Sequence, residues 1–255
     1  MSNESEKVRI DFVYKGQPKD EIPRNITNLV VDDSVTEIGN RAFSRCKALE
    51  SATLNEGLKQ IGDNAFESCT SLKKMDVPGS VEVIGVRAFF ECTALESVRL
   101  NEGLKRIGNY ALCRCAPLEK MDVPGTVEVI GDGAFFECKA LQSATLRNGL
   151  KQIGKYAFRG CASLEKMDVP GTVVVIGEGA FYECAALESA TLRNGLKQIG
   201  KYAFGGCACL ETMNVPGTVE VIGEFAFCEC AALESATLRN GLKQIGIMHF
   251  VSVLL

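Results

Sequence analysis

Histidine is almost absent from this chain of 255 residues; the single one, His249, lies close to the C-terminus. A Ser-His-Asp or Cys-His arrangement needs a histidine placed as base, so nucleophilic catalysis by that route is not expected. Long apolar runs are missing too. No stretch approaches the roughly 18 apolar residues of a membrane span, and the opening MSNESEKVRIDFVYKG carries no apolar run of secretory length. A cytoplasmic home and no membrane partner are the resulting expectations, with the cell surface as the alternative.

Positive charge is not in excess: 28 Lys and Arg stand against 32 Asp and Glu, a net charge of −4. That balance disfavours nucleic acid as a partner. Neither a Walker loop nor a dinucleotide fingerprint occurs, and Gly-x-Gly fragments such as GEGAF and GDGAF sit inside repeat turns. No cofactor is expected.

What the chain does have is a period. Alanine recurs every 23 residues from Ala42 to Ala226, and phenylalanine follows it in every case but Leu112. Nine cysteines keep the same beat from Cys46 to Cys230, with a leucine three residues behind each. Counting back to Ile26 and on to Leu255 gives ten units, the first and last degenerate, after an N-terminal segment 1–25. The last unit loses the pattern from about residue 247, where IMHFVSVLL keeps Phe250 and Val253 at the phenylalanine and cysteine columns.

Each unit opens with a stretch such as LESATL (49–54) or LEKMDV (118–123), where alternate residues face opposite ways, as in a strand. A Pro-Gly, Asn-Gly or Glu-Gly turn follows, then a short extended piece such as VEVIG or LKQIG. Ile61, Ala65, Phe66 and Cys69 then fall at i, i+4, i+5 and i+8, which predicts a short helix returning to the next leucine. The fold class expected is therefore an α/β repeat: a solenoid of ten stacked 23-residue units, with parallel β-sheets and short helices. Rungs about 4.8 Å apart would make it roughly 48 Å long. Val8, Ile10 and Phe12 alternate in a further strand that could cap the first rung.

The true period is 46, because VPGTVEVIG units alternate with LRNGLKQIG units. One column consequently reads Lys59, Glu82, Lys105, Glu128, Lys151, Val174, Lys197, Glu220, Lys243, a ladder of opposite charges broken at Val174. The cysteines of the repeat read as small buried apolar side chains and are expected to be free thiols. Cys209 and Cys228 pair with Cys207 and Cys230 as Cys-x-Cys, the wrong spacing for common zinc knuckles, so no metal site is expected.

The spine I-G-x-x-A-F-x-x-C-x-x-L resembles the BspA-type leucine-rich repeats from residue 26 to about 246. That resemblance implies a recognition protein without catalytic activity, at the cell surface or inside the cell, in a family associated with adhesion and host-protein binding in microbes. The candidate binding surface is the outward side of the first strand, where short polar side chains stand on a rigid sheet: Ser51, Thr53, Lys74, Asp76, Ser97, Arg99, Lys120, Asp122, Ser143, Thr145, Lys166, Asp168, Ser189 and Thr191, edged by Arg147, Arg193 and Arg239. An acidic column from Glu50 to Glu234 runs beside it, and solvation is the simpler account of that column.

The expected function is a protein-interaction scaffold with a protein partner. An adhesin-like surface protein binding host or matrix protein or carbohydrate is the first alternative, and a product of repeat expansion with no ligand is the second. The apolar C-terminal end is a candidate for self-association.

Overall fold

Alternation of exposed and buried residues makes the first piece of each unit a strand, and the computed structural model, which describes residues 9–247, places these strands side by side in parallel. Each residue lies opposite its counterpart 23 positions on, as Lys74 opposite Ser97 and Asp122 opposite Thr145. The longer strands form three runs: Asp11–Tyr14, Asn28–Val31 and Ser51–Thr53; then Lys74–Val77 and Ser97–Leu100; then six from Lys120–Val123 to Ser235–Leu238. The two-residue strands, from Glu37–Ile38 to Gln244–Ile245, form one continuous ten-stranded sheet.

Nine coils are complete among the described residues. The tenth contributes its two strands, and the rest of that unit lies outside the described residues, as do Val8, His249, Phe250 and Val253.

The helix expected in each unit is absent. Among the described residues the one helical element is a 3-10 turn at Lys19–Glu21, before the repeats begin. Where 61–69 was expected to coil helically, Asn64 and Ser68 both take left-handed backbone angles, φ near 55°, and the same two positions are left-handed in every coil, as at Tyr110 and Arg114. The hydrogen bonds give the reason. Asn64, Phe66 and Ser68 donate their N–H groups to Val86, Ala88 and Phe90 of the next coil, while Ala65, Glu67 and Cys69 donate three residues back. A helix would send every N–H four residues back within the segment; stacking sends alternate ones sideways instead. The inward residues agree with the sequence pattern, since Ile61, Ala65, Phe66 and Cys69 are all fully buried.

The core is a set of columns. Phe43, Phe66 and Phe89 stack, as do Phe135, Phe158, Phe181, Phe204 and Phe227, with ring centroids 5.0–5.7 Å apart. Leu112 interrupts the stack. Beyond the apolar area buried, such ring pairs each contribute about 0.5–1.5 kcal/mol. At the N-terminal end, Tyr14 of the added strand meets Phe43 edge-on at 5.1 Å, and Ile22 is also buried.

The alternation of units has a backbone cause. Gly149, with φ of 125°, packs on the preceding unit so closely that any Cβ there would collide with the carbonyl oxygen of Gly125. Thr172 of the following unit then accepts the Gly149 N–H at 3.1 Å. An RNG turn thus lies between two PGT turns, one giving it room and the other a hydrogen bond, which two identical units in succession would not supply.

Candidate functional site

All fourteen candidate residues, from Ser51 to Thr191, carry exposed side chains on the longer strands. The burial pattern of a strand such as Lys166–Val169 alternates strictly, with Lys166 and Asp168 outward and Met167 and Val169 in the core. Because the strands are in register, the outward residues form two straight columns.

The structure groups some of these residues more tightly than their sequence spacing suggests. Ser97, Arg99, Lys120 and Asp122 share a hollow of about 500 Å³ with Arg147. Thr53, Asp76 and Arg99 share another of about 450 Å³. Ser143, Thr145, Lys166, Asp168, Ser189 and Thr191 continue the columns toward the C-terminal end.

Two of the aspartates are not waiting for a partner. Asp122 accepts from Arg147 through both carboxylate oxygens, with Nε–Oδ1 at 3.0 Å and Nη2–Oδ2 at 2.6 Å, and Asp168 does the same with Arg193 at 2.9 and 2.6 Å. Hydrogen bonding to Arg193 holds the Asp168 carboxyl below its usual range. Asp76 has a looser set: the Asn101 side-chain amide at 3.3 Å and Arg99 at 3.9 Å. Ser51 donates to Asn28 at 2.6 Å. By contrast, Lys74, Lys120 and Lys166 have no ion pair among the described residues. The three lysines, with Thr53, Ser97, Ser143, Thr145, Ser189 and Thr191, are the polar side chains of these columns that make no ion pair or side-chain hydrogen bond among the described residues.

The sequence places Arg147 and Arg193 at the rim of the face; in the structure they are clamps on it. The signal was present: each arginine stands 25 residues after its aspartate, one unit plus the two-residue step along a strand that keeps both on the same side.

The charge ladder forms in groups rather than as one chain. Glu82 pairs with Lys105 at 2.8 Å, Glu128 with Lys151 at 2.7 Å, and Glu220 with both Lys197 at 3.2 Å and Lys243 at 2.7 Å. Val174 leaves Lys151 and Lys197 without a carboxylate between them. The lysines hold the carboxyls of Glu82, Glu128 and Glu220 below the usual range, chiefly by side-chain hydrogen bonds.

The cysteine column does more than fill space. Each thiol from Cys69 to Cys230 donates to the carbonyl of a phenylalanine or leucine 26 residues earlier, as Cys161 to Phe135 at 3.2 Å. Burial pushes these thiols up, Cys92 to about 12, so they are neutral donors rather than nucleophiles. All twelve cysteines are free thiols, and of these Cys209 is exposed.

The opposite side of the coil carries aromatic rings that the repeat pattern alone does not single out. Tyr110, Tyr156 and Tyr182 lie against Gly133, Gly179 and Gly205 of the next coil, and the Arg159 guanidinium sits 5.0 Å over the Tyr182 ring. Tyr156 donates to Glu178 at 2.8 Å. These side chains are spent on their neighbours. Among the described residues, no group of three His, Cys, Asp or Glu side chains is placed to hold a metal ion, and no helix is long and apolar enough to cross a membrane.

Comparison with known proteins agrees with this geometry. The family model described as BspA type leucine rich repeat region (6 copies) matches residues 23–142 and again 128–253. Among solved structures, the chain is similar to the pneumococcal vaccine antigen PcpA, at 21% identity over 94% of this chain and 71% of that one, with a TM-score of 0.58. It is also similar to a leucine-rich repeat protein of T. pallidum, at 23% identity over 72% and 78% of the two chains, with a TM-score of 0.53. At such identities the likeness establishes the fold alone. No curated protein matches the chain.

Proposed function

The chain belongs to the BspA-type leucine-rich repeat family, and from that premise we propose that it is a non-catalytic scaffold that binds a protein partner across the outward columns of its longer strands. The observation that carries the reading is the contrast between those columns and the rest of the coil. Lys74, Lys120 and Lys166 stand exposed on a sheet whose inward residues are fixed in the core, without an ion pair among the described residues. The rigid sheet suits recognition because the backbone that presents these groups loses little freedom on binding, and the serines and threonines beside the lysines lose little side-chain entropy.

We read residues 1–25 as an N-terminal cap and 26–255 as a leucine-rich-repeat solenoid whose last unit is degenerate from about residue 247, with its apolar C-terminal end able to self-associate. Ile245 and Ile247, 49% and 60% exposed, mark that end among the described residues. Twelve free thiols fit a reducing compartment, which favours a cytoplasmic setting. The cell-surface reading rests on the habits of the family. Membership also supports a role without catalysis.

The test is capture of a partner from native lysate by wild type and by a variant with Lys74, Lys120 and Lys166 changed to glutamate. Asp122 and Asp168 are left in place, since removing them would release two arginines. Loss of the captured protein with circular dichroism unchanged supports the reading. Equal capture by both moves the interface elsewhere, and capture of nothing by either favours a repeat array without a ligand.

A further inference from the structure

Three columns of the strand face change character together along the solenoid. The position held by Asp76, Asp122 and Asp168 becomes Asn214; Asn55 and Asn101 give way to Arg147, Arg193 and Arg239; Glu56 and Glu102 give way to Asn148, Asn194 and Asn240. Each change removes negative charge or adds positive charge, and all three are complete only at the C-terminal end.

The consequence is local. Arg147 and Arg193 are each gripped by an aspartate 25 residues back, but the residue 25 before Arg239 is Asn214. An asparagine offers one oxygen and turns an NH2 group toward the guanidinium, so it cannot make the two-pronged contact. The Arg239 side chain accordingly makes no hydrogen bond or ion pair among the described residues. It lines a hollow of about 560 Å³ together with Arg193, Asn194 and Asn214, over Leu192 and Val215. No carboxylate lines this hollow, whereas Asp122 and Glu102 line the one near Arg99, and Asp76 and Glu56 line the one beside it.

From this geometry we propose that the hollow at Asn214 and Arg239 is a carboxylate-binding subsite, which takes a glutamate or aspartate side chain from the protein that lies along the strand face. The two preceding arginine pairs show the contact: an incoming carboxylate enters from the open side of the hollow and puts both oxygens on the Arg239 guanidinium, as Asp122 and Asp168 do on theirs, with the amides of Asn194 and Asn214 beside it. Leu192 and Val215 provide a floor for the methylene groups of the side chain. The chemistry favours an acidic peptide over other anions because the fork of an arginine in this column is already matched to a planar carboxylate elsewhere in this chain.

This subsite deepens the strand-face reading and rests on it. The experiment follows the arginine Nε–H signals by NMR while hexaglutamate is titrated, with hexaglutamine as the control and with inorganic phosphate and a sulfated disaccharide as rival anions. The Arg239 signal is expected to move saturably with hexaglutamate, while those of Arg147 and Arg193 stay in place. Asn214→Asp, which copies the local sequence around Asp168 and so keeps the fold, is expected to weaken binding about tenfold or more by supplying an internal partner. Arg239→Gln is expected to abolish it.

Equal movement of all three arginines, or undiminished binding by Asn214→Asp, overturns the subsite. Binding of phosphate or the sulfated disaccharide more than tenfold tighter than hexaglutamate overturns the carboxylate assignment. A partner captured through Lys74, Lys120 and Lys166 but indifferent to Asn214→Asp sinks the subsite and spares the wider reading; a saturable Arg239 with no partner captured does the reverse.

Discussion

The strand strip and the turn strip of each coil have the same 23-residue period and opposite habits. On the strand strip the backbone ladder satisfies the main chain, so the outward side chains are free to vary among Ser, Thr, Lys and Asp. On the turn strip only alternate N–H groups reach the next coil, and side chains complete the network: Cys161 donates to Phe135, and Asn109 accepts the N–H of Asp132 at 3.0 Å. A regular backbone leaves its outward side chains unconstrained, whereas an irregular one commits its side chains to structure.

The comparison can be broken most forcefully at the core that both strips share. Phe158→Ala removes a fully buried ring stacked between Phe135 and Phe181, and is expected to cost about 3–5 kcal/mol in denaturant unfolding. On the exposed side of the strand strip, Thr145→Ala should leave the unfolding midpoint close to that of wild type.

A smaller effect separates two accounts of the cysteines. Cys161→Ala is expected to cost about 1–2 kcal/mol, from lost volume and a lost donor. If the thiol works as a hydrogen-bond donor, Cys161→Ser is the milder change; if it is only apolar filler, serine is the worse one. Reaction of the native protein with a thiol reagent should label Cys209 rapidly and the column slowly, whereas the unfolded chain should expose all twelve. Rapid labelling of several column thiols in the native protein would break the stacked arrangement.

The smallest effect lies in the charge ladder. Val174→Glu fills the gap between Lys151 and Lys197 and is expected to raise the melting temperature slightly at low salt and hardly at all at high salt. Its sign with pH follows from the existing rungs. The carboxyls of Glu82, Glu128 and Glu220 titrate lower in the folded protein than in the unfolded chain, so their contribution is present above the ordinary glutamate range. It is lost as pH falls through the folded-state values. A thermal scan from neutral to acid pH checks this, and insensitivity of the gain to both salt and pH would tell against the ladder.

The columns were legible in the sequence because a strict period alone states which residues are equivalent. Ile61, Ala65, Phe66 and Cys69 are all inside, and the Lys–Glu alternation produces ion pairs, as the spacing implied. The helix misled because i, i+4, i+5, i+8 describes which residues face inward, not where their N–H groups go. Left-handed angles at non-glycine residues such as Tyr110 and Glu137 arise from stacking, and no local propensity announces them. The thiol-to-carbonyl bonds span 26 residues and the Asp–Arg clamps 25, so they become visible only when the register between coils is known.

In the proposed function the strand strip meets the partner and the turn strip does not. This is tested most directly by placing a photo-crosslinking residue at Thr145, in the strand columns, or at Glu137, in the turn strip, and irradiating each protein in the lysate. A covalent adduct with the partner is expected from position 145 and none from position 137. An adduct from position 137 alone would contradict it.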